Sequence, residues 1–76
     1  MNAFSSQPQG MYKLMTINDV SISTGLSRST IYEKVNPKSR YYDPTFPKQI
    51  FLSTNRVAWL VDEINSWIES RMAQRN

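Results

Sequence analysis

Thr16-Ile17-Asn18-Asp19-Val20-Ser21-Ile22-Ser23-Thr24-Gly25-Leu26-Ser27-Arg28-Ser29-Thr30-Ile31-Tyr32-Glu33-Lys34-Val35 is the stretch on which the fold turns. Thr16 has an acid three residues on, Asp19, which is the spacing of a capping box at the start of a helix. Ile17, Val20, Ser21 and Thr24 follow at helical spacing and form an inner face. Its central side chains are small, so a second helix can cross close by. Gly25 supplies the left-handed backbone that ends a helix at little cost. Leu26 then turns back toward the core, and Ser27 caps a second helix. In that helix Ile31 and Val35 face inward with the stem of Lys34 beside them, while Arg28, Ser29, Tyr32, Glu33 and Asn36 face out. Pro37 stops it. Two short helices joined by so tight a turn make a helix-turn-helix, the geometry that offers its second helix to the major groove of DNA.

Working outward, residues 1–11 are polar and aperiodic and contain Pro8 and Gly10, so a disordered tail is expected there. The folded domain is then residues 12–76. Tyr12 to Met15 reads as a short extended lead-in whose apolar side chains close over the core. Residues 36–47 hold three prolines and read as a loop, with Phe46 as an aromatic anchor. Gln49–Leu52 and Arg56–Trp59 read as two short strands around Ser53-Thr54-Asn55, a hairpin wing. Asp62 is placed to cap a last helix, with Glu63 in its positive first turn. Ile64, Trp67, Ile68 and Met72 form one apolar stripe along that helix, read as core. Ile22 lies opposite Val20 and Thr24 and is expected to be exposed. The fold class is mainly α with a small β-hairpin, a winged helix-turn-helix.

The chain of 76 residues has room for one small core. It contains no cysteine and no histidine. This removes disulfides, thiol nucleophiles, histidine bases and nearly every zinc site, so neither an enzyme nor a metal or cofactor is expected. No apolar run approaches a membrane span and the N-terminus lacks a signal-peptide layout, which makes the cytoplasm the expected location. The net charge is +3. Lys34, Lys38, Arg40, Lys48 and Arg56 are opposed in the middle of the chain by Glu33 and Asp43, whereas the last helix mixes Asp62, Glu63 and Glu69 with Arg71 and Arg75. A basic middle fits one DNA-facing side, although a solvated surface would look similar. The expected partner is double-stranded DNA, with no small-molecule ligand and no membrane.

The candidate contacts follow from donor chemistry. Arg28 can reach a guanine edge or a phosphate, Ser29 a base or the backbone, and Tyr32 a phosphate or a thymine methyl. Lys38, Arg40, Lys48 and Arg56 would neutralise phosphates, and Asn55 at the wing tip would approach the minor groove. Ser27, Thr30, Glu33 and Lys34 complete the candidate interface from the same helix. For Arg28 the competing reading is a surface ion pair with Glu33 or Asp19. For the whole chain it is a protein adaptor or antirepressor that keeps the scaffold.

Leu26-Ser27-Arg28-Ser29-Thr30-Ile31-Tyr32, Phe46-Pro47-Lys48, and Arg56-Val57-Ala58-Trp59-Leu60 with Glu63, Ile64, Trp67 and Ile68 occur in the order and spacing of a known family. In these blocks the chain resembles the AlpA-like phage regulators over about residues 14 to 71. These are small winged-helix proteins related in fold to excisionases and to the DNA-binding part of MerR-type regulators. The resemblance implies a DNA-binding protein of prophages and integrated elements that activates an integrase gene or favours excision, with cooperative self-association on DNA. Two departures stand out. The loop between Val35 and Phe46 is longer than in many members, and Glu33 sits where a basic residue is common.

Overall fold

The computed structural model describes residues 11–75. The tail expected over residues 1–11 lies outside them except for Met11, which is exposed. In chain order the elements are β1 (Leu14–Met15), α1 (Ile17–Thr24), α2 (Arg28–Val35), β2 (Ile50–Ser53), β3 (Arg56–Leu60) and α3 (Val61–Ala73). Three helices and a small antiparallel sheet give the expected winged helix-turn-helix. Among the described residues no helix is long and apolar enough to cross a membrane.

α1 begins on the capping box: the Asp19 amide donates to Thr16 Oγ1 at 3.2 Å, and the Thr16 amide donates to Asp19 Oδ2 at 3.3 Å. It ends at Gly25, whose φ of 76° lies in the left-handed region. Ser21 and Thr24 do more here than leave room for α2. The Ser21 hydroxyl donates to the Leu26 carbonyl at 2.6 Å, and Thr24 Oγ1 accepts from the Leu26 amide at 3.2 Å. Both tie the turn to the helix it leaves, so the angle between α1 and α2 is set by hydrogen bonds as well as by packing. α2 stops where Asn36 is pushed to extended backbone ahead of Pro37.

The hairpin is part of a larger sheet. β1 pairs with β3 through Leu14↔Leu60 and Met15↔Trp59, giving a three-stranded sheet in the order β1-β3-β2. Of the lead-in, Met15 closes over the core while Tyr12 and Leu14 remain exposed. The wing pairs Ile50↔Ala58 and Phe51↔Val57, then slips by a bulge before Ser53↔Arg56, which leaves Thr54 and Asn55 as its tip. β3 runs straight into α3 at Leu60, and no side chain caps that helix. The expectation for Asp62 is therefore corrected: it sits inside the first turn. One of the donors that a helix start leaves without an intrahelical partner, the Val61 amide, is taken by the Lys13 carbonyl at 3.0 Å.

The core is Met15, Val20, Ile31, Phe46, Trp59 and Ile64, with Leu26, Val35, Trp67 and Ile68 packed partly against it. Met72, the last residue of the expected α3 stripe, is 49% exposed. The loop from Asn36 to Pro47 is long but well tied. The Asp43 amide donates to the Lys34 carbonyl at 2.9 Å, and Lys34 Nζ lies 3.5 Å from Asp43 Oδ2. Thr45 donates from its amide and its hydroxyl to Asp43 Oδ1 at 2.9 and 2.6 Å. The Trp67 indole N–H reaches Thr45 Oγ1 at 3.3 Å, and Phe46 packs edge-on against Trp67 at 4.9 Å.

Two predictions follow from this framework. Nothing lies within 4 Å of a Cβ built on Gly25, so the Cβ itself meets no neighbour and backbone strain at its positive φ is the expected cost. Gly25→Val should lose about 1–3 kcal/mol, whereas Gly25→Asn should lose much less, because asparagine tolerates the left-handed region. Thermal melting separates them: at about 4–8 °C per kcal/mol for a domain of this size, equal midpoints would contradict the assignment. The second concerns acid. Hydrogen bonds from Thr45, and then the Lys34 ammonium, hold the Asp43 carboxyl below its ordinary value of 3.8. A depressed folded value contributes stability that is complete above the unfolded value and is lost as pH falls through the folded one. Urea midpoints of wild type and Asp43→Asn should therefore differ at neutral pH and draw together only as pH falls below about 4, through the lowered folded value.

Candidate nucleic-acid interface

α2 carries the candidate contacts because its two sides are chemically different. Ile31 is fully buried and Val35 partly so, which fixes the rotation of the helix. That rotation leaves Arg28, Ser29, Tyr32 and Glu33, at positions i, i+1, i+4 and i+5, exposed on the outer side. Tyr32 is 46% exposed. At the helix start Ser27 Oγ accepts from the Thr30 amide at 3.1 Å and donates to Thr30 Oγ1 at 2.9 Å. These two hydroxyls are engaged in the cap first, although both residues are exposed.

Arg28 makes neither of the ion pairs weighed from the sequence. Asp19 is held in its capping box, and the Glu33 carboxylate accepts from Ser39 Oγ. The Arg28 guanidinium instead donates from Nη1 to Asn18 Oδ1 at 3.3 Å. Among the described residues it forms no ion pair, and the side chain is exposed. Asn18 thus belongs to the surroundings of the site. The sequence carried no signal for it, since ten residues separate the pair.

The Glu33–Ser39 bond accounts structurally for the acid on this face. Ser39 Oγ also accepts from the Tyr41 amide at 3.0 Å, and the Lys38 amide bonds Asn36 Oδ1 at 3.0 Å. The lengthened loop is thereby folded against the end of α2, with Lys38 and Arg40 exposed on it. The Arg40 guanidinium lies over the Tyr41 ring, 5.7 Å from its centre. Lys48 precedes the wing, Asn55 occupies its tip and Arg56 opens its second strand, and all three are exposed.

Lys34 is placed apart from the others. It lies two residues after Tyr32, about 200° round the helix, and therefore on the inner flank. Its side chain is 23% exposed, and its ammonium is shared between Asp43 and the face of Trp67. Phe51 and Leu52 on the wing are 73% and 51% exposed and were not singled out from the sequence. Ile50, Phe51 and Leu52 are three consecutive apolar residues, so no alternation marks which side chain turns inward, and the pairing is irregular after Phe51.

Among the described residues no cluster of histidine, cysteine or carboxylate side chains could hold a metal ion. The geometry is a polar, cation-bearing helix face, a basic loop and a two-stranded wing on a small rigid core.

Comparison with known proteins agrees with this architecture. Residues 13–72 match the family described as Prophage CP4-57 regulatory protein (AlpA). The chain is 41% identical over 59 residues to the DNA-binding transcriptional activator AlpA of Escherichia coli strain K12, covering 78% of this chain and 84% of that protein. It is 36% identical over 63 residues to the uncharacterized protein ORF88 of Enterobacteria phage P4, covering 83% of this chain and 65% of that one. No solved structure matches it. With the family pattern spanning both the helix-turn-helix and the wing, the chain belongs to the AlpA family of prophage regulatory proteins.

Proposed function

We propose that this protein is a sequence-specific DNA-binding regulator of a prophage or integrated element, acting in the cytoplasm on an integrase gene, on the direction of recombination, or on both. The observation that carries the reading is Arg28: an exposed, uncompensated cation at the start of α2, oriented by Asn18 on a face otherwise made of short hydrogen-bonding groups. A helix of this kind enters the major groove by its N-terminal residues. There Arg28 reads a guanine edge, while Ser29 and Tyr32 contact bases or the adjoining backbone. Lys38, Arg40, Lys48 and Arg56 neutralise phosphates on either side, and Asn55 brings the wing tip to the minor groove. Lys34 serves this surface indirectly, since its ammonium is taken up by Asp43. Two chains bound side by side on adjacent sites would give the cooperativity that the family resemblance implies. The relative's name, DNA-binding transcriptional activator, supports the regulatory part of the reading.

The test begins with a binding site selected from random duplexes. Arg28→Ala should cost about 1–3 kcal/mol against that site and relax preference at one base position. A folded variant with wild-type affinity would remove Arg28 from the interface. Lys48→Gln with Arg56→Gln should behave differently, weakening selected and random DNA by similar factors. Each lost phosphate contact should flatten the log–log salt dependence by about 0.9. Loss confined to the selected site would assign these two residues to sequence readout instead.

A further inference from the structure

Behind α2, on the side away from Arg28 and Tyr32, the end of α1, the inner flank of α2 and the last turns of α3 enclose a cleft of about 530 Å³. Its floor is apolar: Leu26, Trp67, Ile68 and the half-exposed Met72. Its rim carries three cations, Lys34, Arg71 and Arg75, against one carboxylate, Asp43. Among the described residues the ion pair formed here is Lys34–Asp43, so that carboxylate is already committed. Arg71 has no acid partner in that set. Its guanidinium donates to Gln74 Oε1 at 3.1 Å and lies 5.8 Å from the centre of the Trp67 ring. Arginine in the last turn of a helix suits the helix dipole without any ligand. The dipole does not explain why the arginine stands beside an open apolar floor that includes an exposed methionine.

We propose that this cleft binds an acidic, amphipathic segment of a partner protein, with apolar side chains on the Leu26–Trp67–Met72 floor and carboxylates on Arg71 and Arg75. Charge complementarity selects the occupant: a net positive rim over an apolar floor matches a helix or strand that carries acids beside leucine-like residues. The composition is that of an interface centre, where tryptophan, methionine and arginine are enriched. A nucleic acid fits the site less well. Phosphates have no use for an apolar floor of this make-up. The cleft would let the protein hold a second macromolecule while the opposite side of α2 stays on DNA. It does not depend on the DNA reading: loss of DNA binding with retained peptide binding would overturn that reading and leave this one standing.

The experiment uses the full chain, labelled with ¹⁵N, and follows its two indole N–H signals. Trp59 is fully buried with its N–H on the Pro47 carbonyl at 3.2 Å, so its signal reports the integrity of the fold. Trp67 lines the cleft. Three probes are titrated: a short synthetic peptide with glutamates and leucines on one helical face, the same peptide with glutamine for glutamate, and a random-sequence duplex. The acidic peptide should move the Trp67 signal saturably and leave Trp59 in place. The glutamine peptide, and the acidic peptide against Arg71→Gln with Arg75→Gln, should each bind about tenfold more weakly. The duplex should leave Trp67 unmoved, and the double variant should keep wild-type affinity for it. An acidic peptide without effect on Trp67 would overturn the proposal. So would a Trp67 response to the duplex lost in the double variant, which would make the cleft a phosphate site, or a Trp67 signal that moves with protein concentration alone, which would assign it to a second copy of the chain.

Discussion

A buried indole must find an acceptor for its N–H, and in this protein that requirement organises everything else. Trp59 is the largest fully buried side chain, and its N–H donates to the Pro47 carbonyl. Leaving that donor unpaired would cost about 1–3 kcal/mol, a large fraction of the stability of so small a domain. The acceptor comes from the residue next to Phe46, whose own ring is buried in the same core. One dipeptide thus delivers both the apolar and the polar partner, and the long loop must arrive at this point in one conformation. Because Trp59 lies on β3 between β1 and β2, fixing it also fixes the root of the wing. This hydrogen bond and the packing around it join the end of the loop to the root of the hairpin.

The same logic, at smaller scale, sets α2. An isolated eight-residue helix with this polar surface would not be stable in water, because nucleation is costly and the helix presents little apolar area. Its stability comes from outside: Ile31 in the core, the Ser27 cap, the turn tied by Ser21 and Thr24, and the loop bound to its C-terminal half through Glu33 and Lys34. Glu33 apart, the supports act from the inner side, the turn and the loop, so the rest of the outer face is relieved of structural work. Arg28, Ser29 and Tyr32 can then be chosen for what they touch.

Most of this fold was legible in the sequence because its decisive signals are local. The capping box at Thr16, the left-handed Gly25, the Ser27 cap and the stop at Pro37 each act within a few residues, and each stands where the pattern put it. Where the reading went wrong, the determinant was distant. Asp62 looked like a cap by local rules, but α3 begins two residues earlier than a cap there requires, where β3 ends and the Val61 amide pairs with the Lys13 carbonyl, which no window around Asp62 contains. β1 looked like a lead-in because two residues carry no strand periodicity, and only pairing with β3 makes them a strand. For the candidate interface the residue types were legible and their engagement was not. Lys34 and Arg28 look alike as cations on one helix, yet one is neutralised by Asp43 and the other is held by a neutral amide.

That difference between two cations bears on how a domain of this size can have more than one working surface. With a single small core, every element must pack on it, so function has to be written on the faces left over. α2 has two such regions, separated by its own diameter. On the outer side the guanidinium of Arg28 is bonded to the neutral amide of Asn18. On the inner flank the charge of Lys34 is spent on Asp43 and Trp67, which removes a competing cation from the helix and braces the loop bearing Lys38 and Arg40. The acid at Glu33, unexpected on such a face, does the corresponding job from the other side by holding Ser39. Reversing either assignment would disturb this arrangement: a basic residue at position 33 would add a cation to the outer face but release the loop, and a neutral one at position 34 would leave Asp43 as a partly buried charge without its cationic partner. The distribution of charge along this helix is therefore set jointly by what it presents and by what must hold it in place.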